Sequence, residues 1–219
     1  MFKVIAGVAA LLTASALGFA QPKQAVDITK AQIDEVLKFA PPAVDQTLRV
    51  IDMGGYAMSV AVIHRGAPPA GGRGAGGGRG AGGGRAQAAA AAAEPCGLTS
   101  APAGAKQGPP GMIAHDDTVE TYIVISGSGT LVTGGEILNG RRSPPDSEVT
   151  KILNGPSCSG RVVGDFVSRK MGVGDISVIP AGMPHGWMDI VGEVTYLSIR
   201  PDPKKVLEHG YVNPHIKEQ

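Results

Sequence analysis

The chain has 219 residues, a formal net charge of +1 and a hydrophobic share of 42%. That near-neutral balance gives no electrostatic footing for nucleic acid or for an anionic membrane surface. The length suits one globular domain.

Residues 1–20, MFKVIAGVAALLTASALGFA, carry one lysine, then an apolar run, then small residues. Gly18 and Ala20 stand at the minus-three and minus-one positions of a signal-peptidase site, so a secretory signal cleaved after Ala20 is expected. The run is short and interrupted by Thr13 and Ser15; an uncleaved N-terminal anchor is the alternative. No later stretch is long and apolar enough to span a bilayer, so the cleaved chain is expected to be exported, to a periplasm or outside the cell, with no membrane contact.

Residues 21–65 are expected to form a short helix and the first strands. Thr29 and Gln32 make a capping-box pattern, and Ile33, Val36, Leu37 and Phe39 fall on one face, predicting a helix over 29–39. TLRVIDMGG and YAMSVAVIHR read as a hairpin turning at Gly54-Gly55. Residues 66–110 differ in kind. GRGAGG occurs at 72–77 and again at 78–83, and a polyalanine run follows. With almost nothing bulky and apolar to bury, this stretch is expected to be a disordered insertion. Arg73, Arg79 and Arg85 invite an RNA-binding reading, but single-strand binders pair such arginines with aromatic groups, and none is present.

Residues 111–203 read as β throughout. ETYIVISGSGTLVTGG predicts a hairpin around Gly127 and Gly129, while Asn139-Gly140 and Asn154-Gly155 are further turn signals. ISVIP, GWMDIV and EVTYLSIR are short strands. Many short strands with one helix predict an all-β fold, a small antiparallel barrel or sandwich. Without the leader and the insertion about 150 residues remain, enough for one barrel. Residues 204–219 read as a polar C-terminal tail, with His209 and His215 expected in solvent. In an oxidising compartment Cys96 and Cys158 are candidates for a disulfide between two long loops, or stay free; neither has neighbours at zinc-finger spacing.

Two stretches carry candidate chemistry. In GDISVIPAGMPHGWMD, residues 174–189, a Pro/Gly turn delivers His185 to the start of a strand, and period two places His185, Trp187 and Asp189 on one face. In IAHDDTVE, residues 113–120, His115 ends one strand and Glu120 begins the next. Together they resemble the cupin superfamily. Gly174, Pro180, Gly182 and His185 match its second motif, with Asp189 where Asn is usual. His115, Glu120 and Gly127 match its first motif, H-x-H-x4-E-x6-G, in which Ile113 replaces the first histidine. The resemblance covers about residues 111–200 and implies a cupin barrel, a double-stranded β-helix jelly roll, that often pairs as a homodimer.

It also implies a divalent transition metal, iron, manganese, zinc or nickel, held by His115, Glu120 and His185. Two imidazoles and one carboxylate form a set used by non-haem iron and by catalytic zinc. A shifted register, with His115 first and Asp117 second, is the alternative. Tyr122 and Asp117 are candidate acid/base groups. Tyr122 and Trp187 either line a substrate cavity or fill the core. His64 is a candidate pocket group or an exposed strand-end histidine. No nucleotide-cofactor loop or nucleophile elbow is present. A metal-dependent enzyme on a small molecule, of isomerase, lyase or dioxygenase type, is expected; the alternative is a non-catalytic ligand-binding or sensing module.

Overall fold

The computed structural model describes residues 22, 24–39, 45–66 and 93–217. The expected signal at 1–20 and residues 67–92 of the expected insertion, with Arg73, Arg79 and Arg85, lie outside them.

The helix forms as its pattern predicts. α1 spans Lys30–Phe39. The Thr29 amide donates to Gln32 Oε1 (3.0 Å) and the Gln32 amide to Thr29 Oγ1 (3.3 Å), so the cap satisfies two otherwise orphaned donors. Val36 is buried, with Ile33 and Leu37 beside it against Leu48 and Val62. Phe39 departs from this face: it is exposed and stacks on His215, with ring centroids 4.4 Å apart. The C-terminal tail is accordingly less solvated than expected. Ile216 joins the cluster under α1, and the buried Asn213 donates to the Thr47 carbonyl.

β1 (Asp45–Asp52) and β2 (Ala57–Gly66) form the expected hairpin. The remaining strands are β3 (Pro95–Cys96), β4 (Met112–His115), β5 (Glu120–Arg142), β6 (Ser157–Gly172), β7 (Ile176–Ile179) and β8 (His185–Asp202). All named pairings are antiparallel, and the sheet closes on itself. β8 pairs with both β4 and β5, β4 pairs with β6, and β6 pairs with β5. Closure leaves an interior lined by Ile63, Tyr122, Val124, Leu131, Met171, Ile179, Trp187 and Tyr196.

The expected hairpin around Gly127 and Gly129 is absent. β5 runs unbroken for 23 residues and changes partners instead: its first part lies against β7 and β8, its later part against β6 and β3. Gly127, at φ +69°, is where this long strand bends past β8. A Cβ there would lie 1.9 Å from the Glu193 carbonyl oxygen, so no side chain fits. Asn139-Gly140 also stays inside β5, as a bulge with Asn139 at φ +50°. Asn154-Gly155 does turn the chain, with Gly155 at φ +73°.

The disorder expected over 66–110 does not extend to its described end. Residues 93–110 lie on the sheet: Cys96 pairs with Gly140, Leu98 bridges to Leu138 and Gln107 to Val163. Cys96 and Cys158 form a disulfide, and both sit on strands, not in loops. Bulky residues are scarce here, so sheet pairing and the covalent link supply what burial cannot. No helix among the described residues is long and apolar enough to cross a membrane.

Gly127→Ala, which combines a left-handed backbone with a steric overlap, should cost about 2 kcal/mol or more, read from the urea midpoint of the purified chain.

Candidate metal centre

Three strand ends meet inside the barrel. His115 closes β4, Glu120 opens β5 and His185 opens β8. Each is at least 97% buried, and one ligand atom from each lies within 4.8 Å of the others. The turn at Pro180-Ala181-Gly182 aims His185 as its sequence predicts. Gly182 takes φ +77°, and its amide donates to the His115 carbonyl (2.7 Å), tying the two histidine-bearing segments together.

The tautomer that each ring takes when neutral follows from its outer contacts. His115 Nδ1 lies 2.9 Å from Ser157 Oγ, and that hydroxyl donates its own proton to the Gly155 carbonyl (2.8 Å). Ser157 therefore accepts from His115 Nδ1–H. His185 Nδ1 lies 2.9 Å from the Met183 carbonyl, which can only accept. In each neutral ring the proton sits on Nδ1, and Nε2 presents a lone pair. Both Nε2 atoms face the same oxygen, Glu120 Oε2, at 3.2 Å from His115 and 2.8 Å from His185. His185 Nε2 is buried and makes no hydrogen bond with that oxygen despite the short distance. The approach is that of two electron-pair donors, not of a donor and an acceptor.

Electrostatics keeps Glu120 anionic. Burial pushes its carboxyl up, but the Arg200 guanidinium outweighs burial and holds it well below the ordinary carboxylate range. Burial pushes His115 down, more strongly than Glu120 raises it, so this ring favours the neutral form. Tyr122 donates to Glu120 Oε2 (2.9 Å), and its hydroxyl is pushed well above its usual value, by burial first and by Glu120 next. Two imidazole lone pairs and a carboxylate oxygen thus converge with Tyr122 as the donor among them. A cation between them resolves the repulsion, so the donor set fits a divalent metal.

The other predicted residues divide. Trp187 is buried and stacks on Tyr122, with centroids 6.4 Å apart. Asp117 is not at the centre: it points outward to Lys204 Nζ at 2.5 Å. That placement leaves Asp117 outside the cluster of His115, Glu120 and His185. His64 is likewise elsewhere. Ile63 faces the interior, so strand alternation turns His64 to the outer side, where Nδ1 meets Thr195 Oγ1 at 2.9 Å. Asp189 is exposed because its φ of +48° breaks the alternation after Trp187. Ile113 shares a face with His115 and stands opposite His185 in the β4–β8 register, beside the cluster.

Arg200 is the residue that sequence reading missed. It is fully buried; Nε pairs with Glu120 Oε1, Nη1 donates to the Leu153 carbonyl (2.8 Å) and Nη2 lies 3.4 Å from Asp45 Oδ2. Ser198 Oγ also donates to Glu120 Oε1 (3.0 Å). The signal was present in EVTYLSIR: period two puts Arg200 on the face of Tyr196 and Ser198, a charge on an inward-facing stripe.

No protein-family model and no curated protein matches the chain. Solved structures with a similar course of chain include a candidate mannose-6-phosphate isomerase from Ralstonia eutropha (15% identity, TM-score 0.32, covering 74% of this chain and 87% of that one). A protein from Bacillus halodurans shows 12% identity and a TM-score of 0.37, covering 88% and 92%. A double-stranded beta-helix domain protein from Klebsiella pneumoniae shows 14% identity and a TM-score of 0.34, covering 78% and 84%. Likenesses this distant say nothing of activity. The chain itself forms a small antiparallel barrel closed through β8, with His115, Glu120, Gly127, Gly182 and His185 of the two sequence motifs in place around it.

Proposed function

We propose that His115, Glu120 and His185 hold one divalent transition-metal ion, and that the chain is an exported metal-dependent enzyme acting on a small molecule. The observation that carries this reading is the convergence of both imidazole Nε2 lone pairs on an ionised, buried carboxylate oxygen. Iron, manganese, zinc and nickel all accept such a donor set. When bound, the ion would supply Lewis-acid polarisation of a substrate oxygen or, as iron, a site for dioxygen. The chain's own residues do the rest. Ser157 and the Met183 carbonyl fix the imidazole tautomers, while Arg200 and Ser198 fix the carboxylate. Tyr122 holds its proton at Oη against Glu120, and Trp187 and Tyr196 form an apolar wall that keeps water away.

Export is supported by the leader pattern of the sequence and by the disulfide, which persists in oxidising compartments. Pairing as a homodimer follows only from the cupin resemblance. One observation favours a second reading, a metal-bearing module that binds or senses a small ligand without turning it over. Asp117 is occupied by Lys204, and Tyr122 is held protonated by burial and by its bond to Glu120, so neither is a ready base. Oxygen uptake or product formation by the metal-loaded protein separates the two.

The mature protein should carry close to one equivalent of transition metal by elemental analysis, and His185→Ala should lose it while keeping the β-sheet circular dichroism of the parent. Trace metal in both proteins ends the reading. Ile113→His should add a third imidazole to the cluster and slow loss of metal to a chelator by at least about tenfold.

A further inference from the structure

Beyond the three ligands, the interior has a charge balance and an unused donor that together describe the molecule it receives. This rests on the metal reading above. The ion pairs around the centre form a chain: Glu120 with Arg200, Arg200 with Asp45, and Asp45 with Arg65 at 2.8 Å. Their four charges cancel. Asp202, a further buried carboxylate at the end of β8 and two residues beyond Arg200, stands outside this chain of pairs: one oxygen accepts the Leu207 amide and the other has no hydrogen-bond partner among the described residues. The single negative charge offered directly to a metal is therefore one already neutralised by a guanidinium. A divalent ion placed there leaves excess positive charge inside an apolar barrel, which is costly unless an anion joins it.

The unused donor is Trp187. Its ring is 97% buried, yet indole Nε1 has no hydrogen-bond partner among the described residues. A buried N–H without an acceptor is destabilising, and the ring is held where it is. Tyr122 stacks on it, Tyr196 lies 5.2 Å away between centroids, and Gly129 leaves the space it occupies, since a Cβ there would lie 3.0 Å from Trp187 Cε3. Trp187 stands two residues from His185 on the same inward face of β8, about 7 Å along the strand. His185 Nε2, on the same face, is likewise buried without a hydrogen bond.

We infer that the centre takes a small anionic molecule carrying two oxygen functions. One is a carboxylate or similar oxyanion that completes the metal's charge and coordination beside Ile113. The other is an acceptor, a few bonds away, that receives the Trp187 indole N–H. Trp187 is in this view a specificity-determining residue, not a filler of the core.

The chain has one tryptophan, so its emission reports on the site directly. The probes are succinate, butyrate and succinamide, titrated at constant ionic strength into the full-length mature protein loaded with zinc, with calorimetry alongside. Succinate should shift Trp187 emission saturably and bind at least about tenfold more tightly than butyrate, with succinamide weakest. Trp187→Phe, checked for retained zinc, should bring succinate to the level of butyrate by calorimetry. Succinamide binding as well as succinate overturns the charge argument. An unchanged succinate-to-butyrate ratio in Trp187→Phe overturns the role of the indole; because the wild-type series needs no variant, a Trp187→Phe that fails to fold still leaves the inference testable. A wild-type protein that holds no zinc fails at the earlier step and defeats the metal reading itself.

Discussion

The structure depends on an ion pair inside its barrel, Glu120 with Arg200. Burying either charge alone costs several kcal/mol, and burying both is tolerated when geometry and extra hydrogen bonds satisfy the remaining atoms. That condition is met. Glu120 Oε1 receives Arg200 and Ser198, while the other guanidinium nitrogens reach the Leu153 carbonyl and Asp45. Oε1 is thereby fully used, and Oε2, which accepts the Tyr122 hydroxyl, faces the two histidines. The same pair that makes the buried carboxylate affordable also decides which of its oxygens is available for chemistry.

From this pair the constraint spreads through the fold. Arg200 reaches β1 through Asp45 and the helical turn at Val149–Leu153 through its carbonyl. Asp45 is shared with Arg65 on β2, whose Nε donates to the Tyr196 hydroxyl. Burial pushes that hydroxyl up to about 12, although Arg65 pulls the other way, so it stays protonated beside the guanidinium. Tyr196 in turn packs on Tyr122 and Trp187. Polar network and aromatic wall are therefore one object, which explains how isolated strand ends hold a cluster of ionisable groups without collapsing it.

The covalent link is the second support. Cys158 directly follows Ser157, the residue that fixes the His115 tautomer, and its strand pairs with β4 along Met112–His115. Residues 93–110 cover the outer face of that strand pair, where Met112, Ala114, Ile137 and Val162 form their own cluster. A Cβ at Gly140 would lie 2.7 Å from Cys158 Sγ, so the packing around the link is close. A segment with little to bury is held in place by the sheet and the disulfide, and it returns the favour by shielding the strand that carries His115.

The sequence by itself determined whatever is local. The capping box at Thr29 and Gln32, the hairpin at Gly54-Gly55, the turn that launches His185 and the spacing of His115 to Glu120 are patterns within a few residues, and the structure contains each one. Only the tertiary structure decided the rest. Glycines that look like hairpin turns became bends in one continuous β5, because β8 passes at van der Waals distance and a bend, unlike a turn, keeps the barrel closed. His64 and Asp117 left the site because alternation and an outward lysine partner claimed them. Arg200, unnoticed in its strand, became central because its partners stand 80 and 155 residues away. Electrostatic pairing across such separations has no local signature; it exists only once closure of the sheet has brought the charges together.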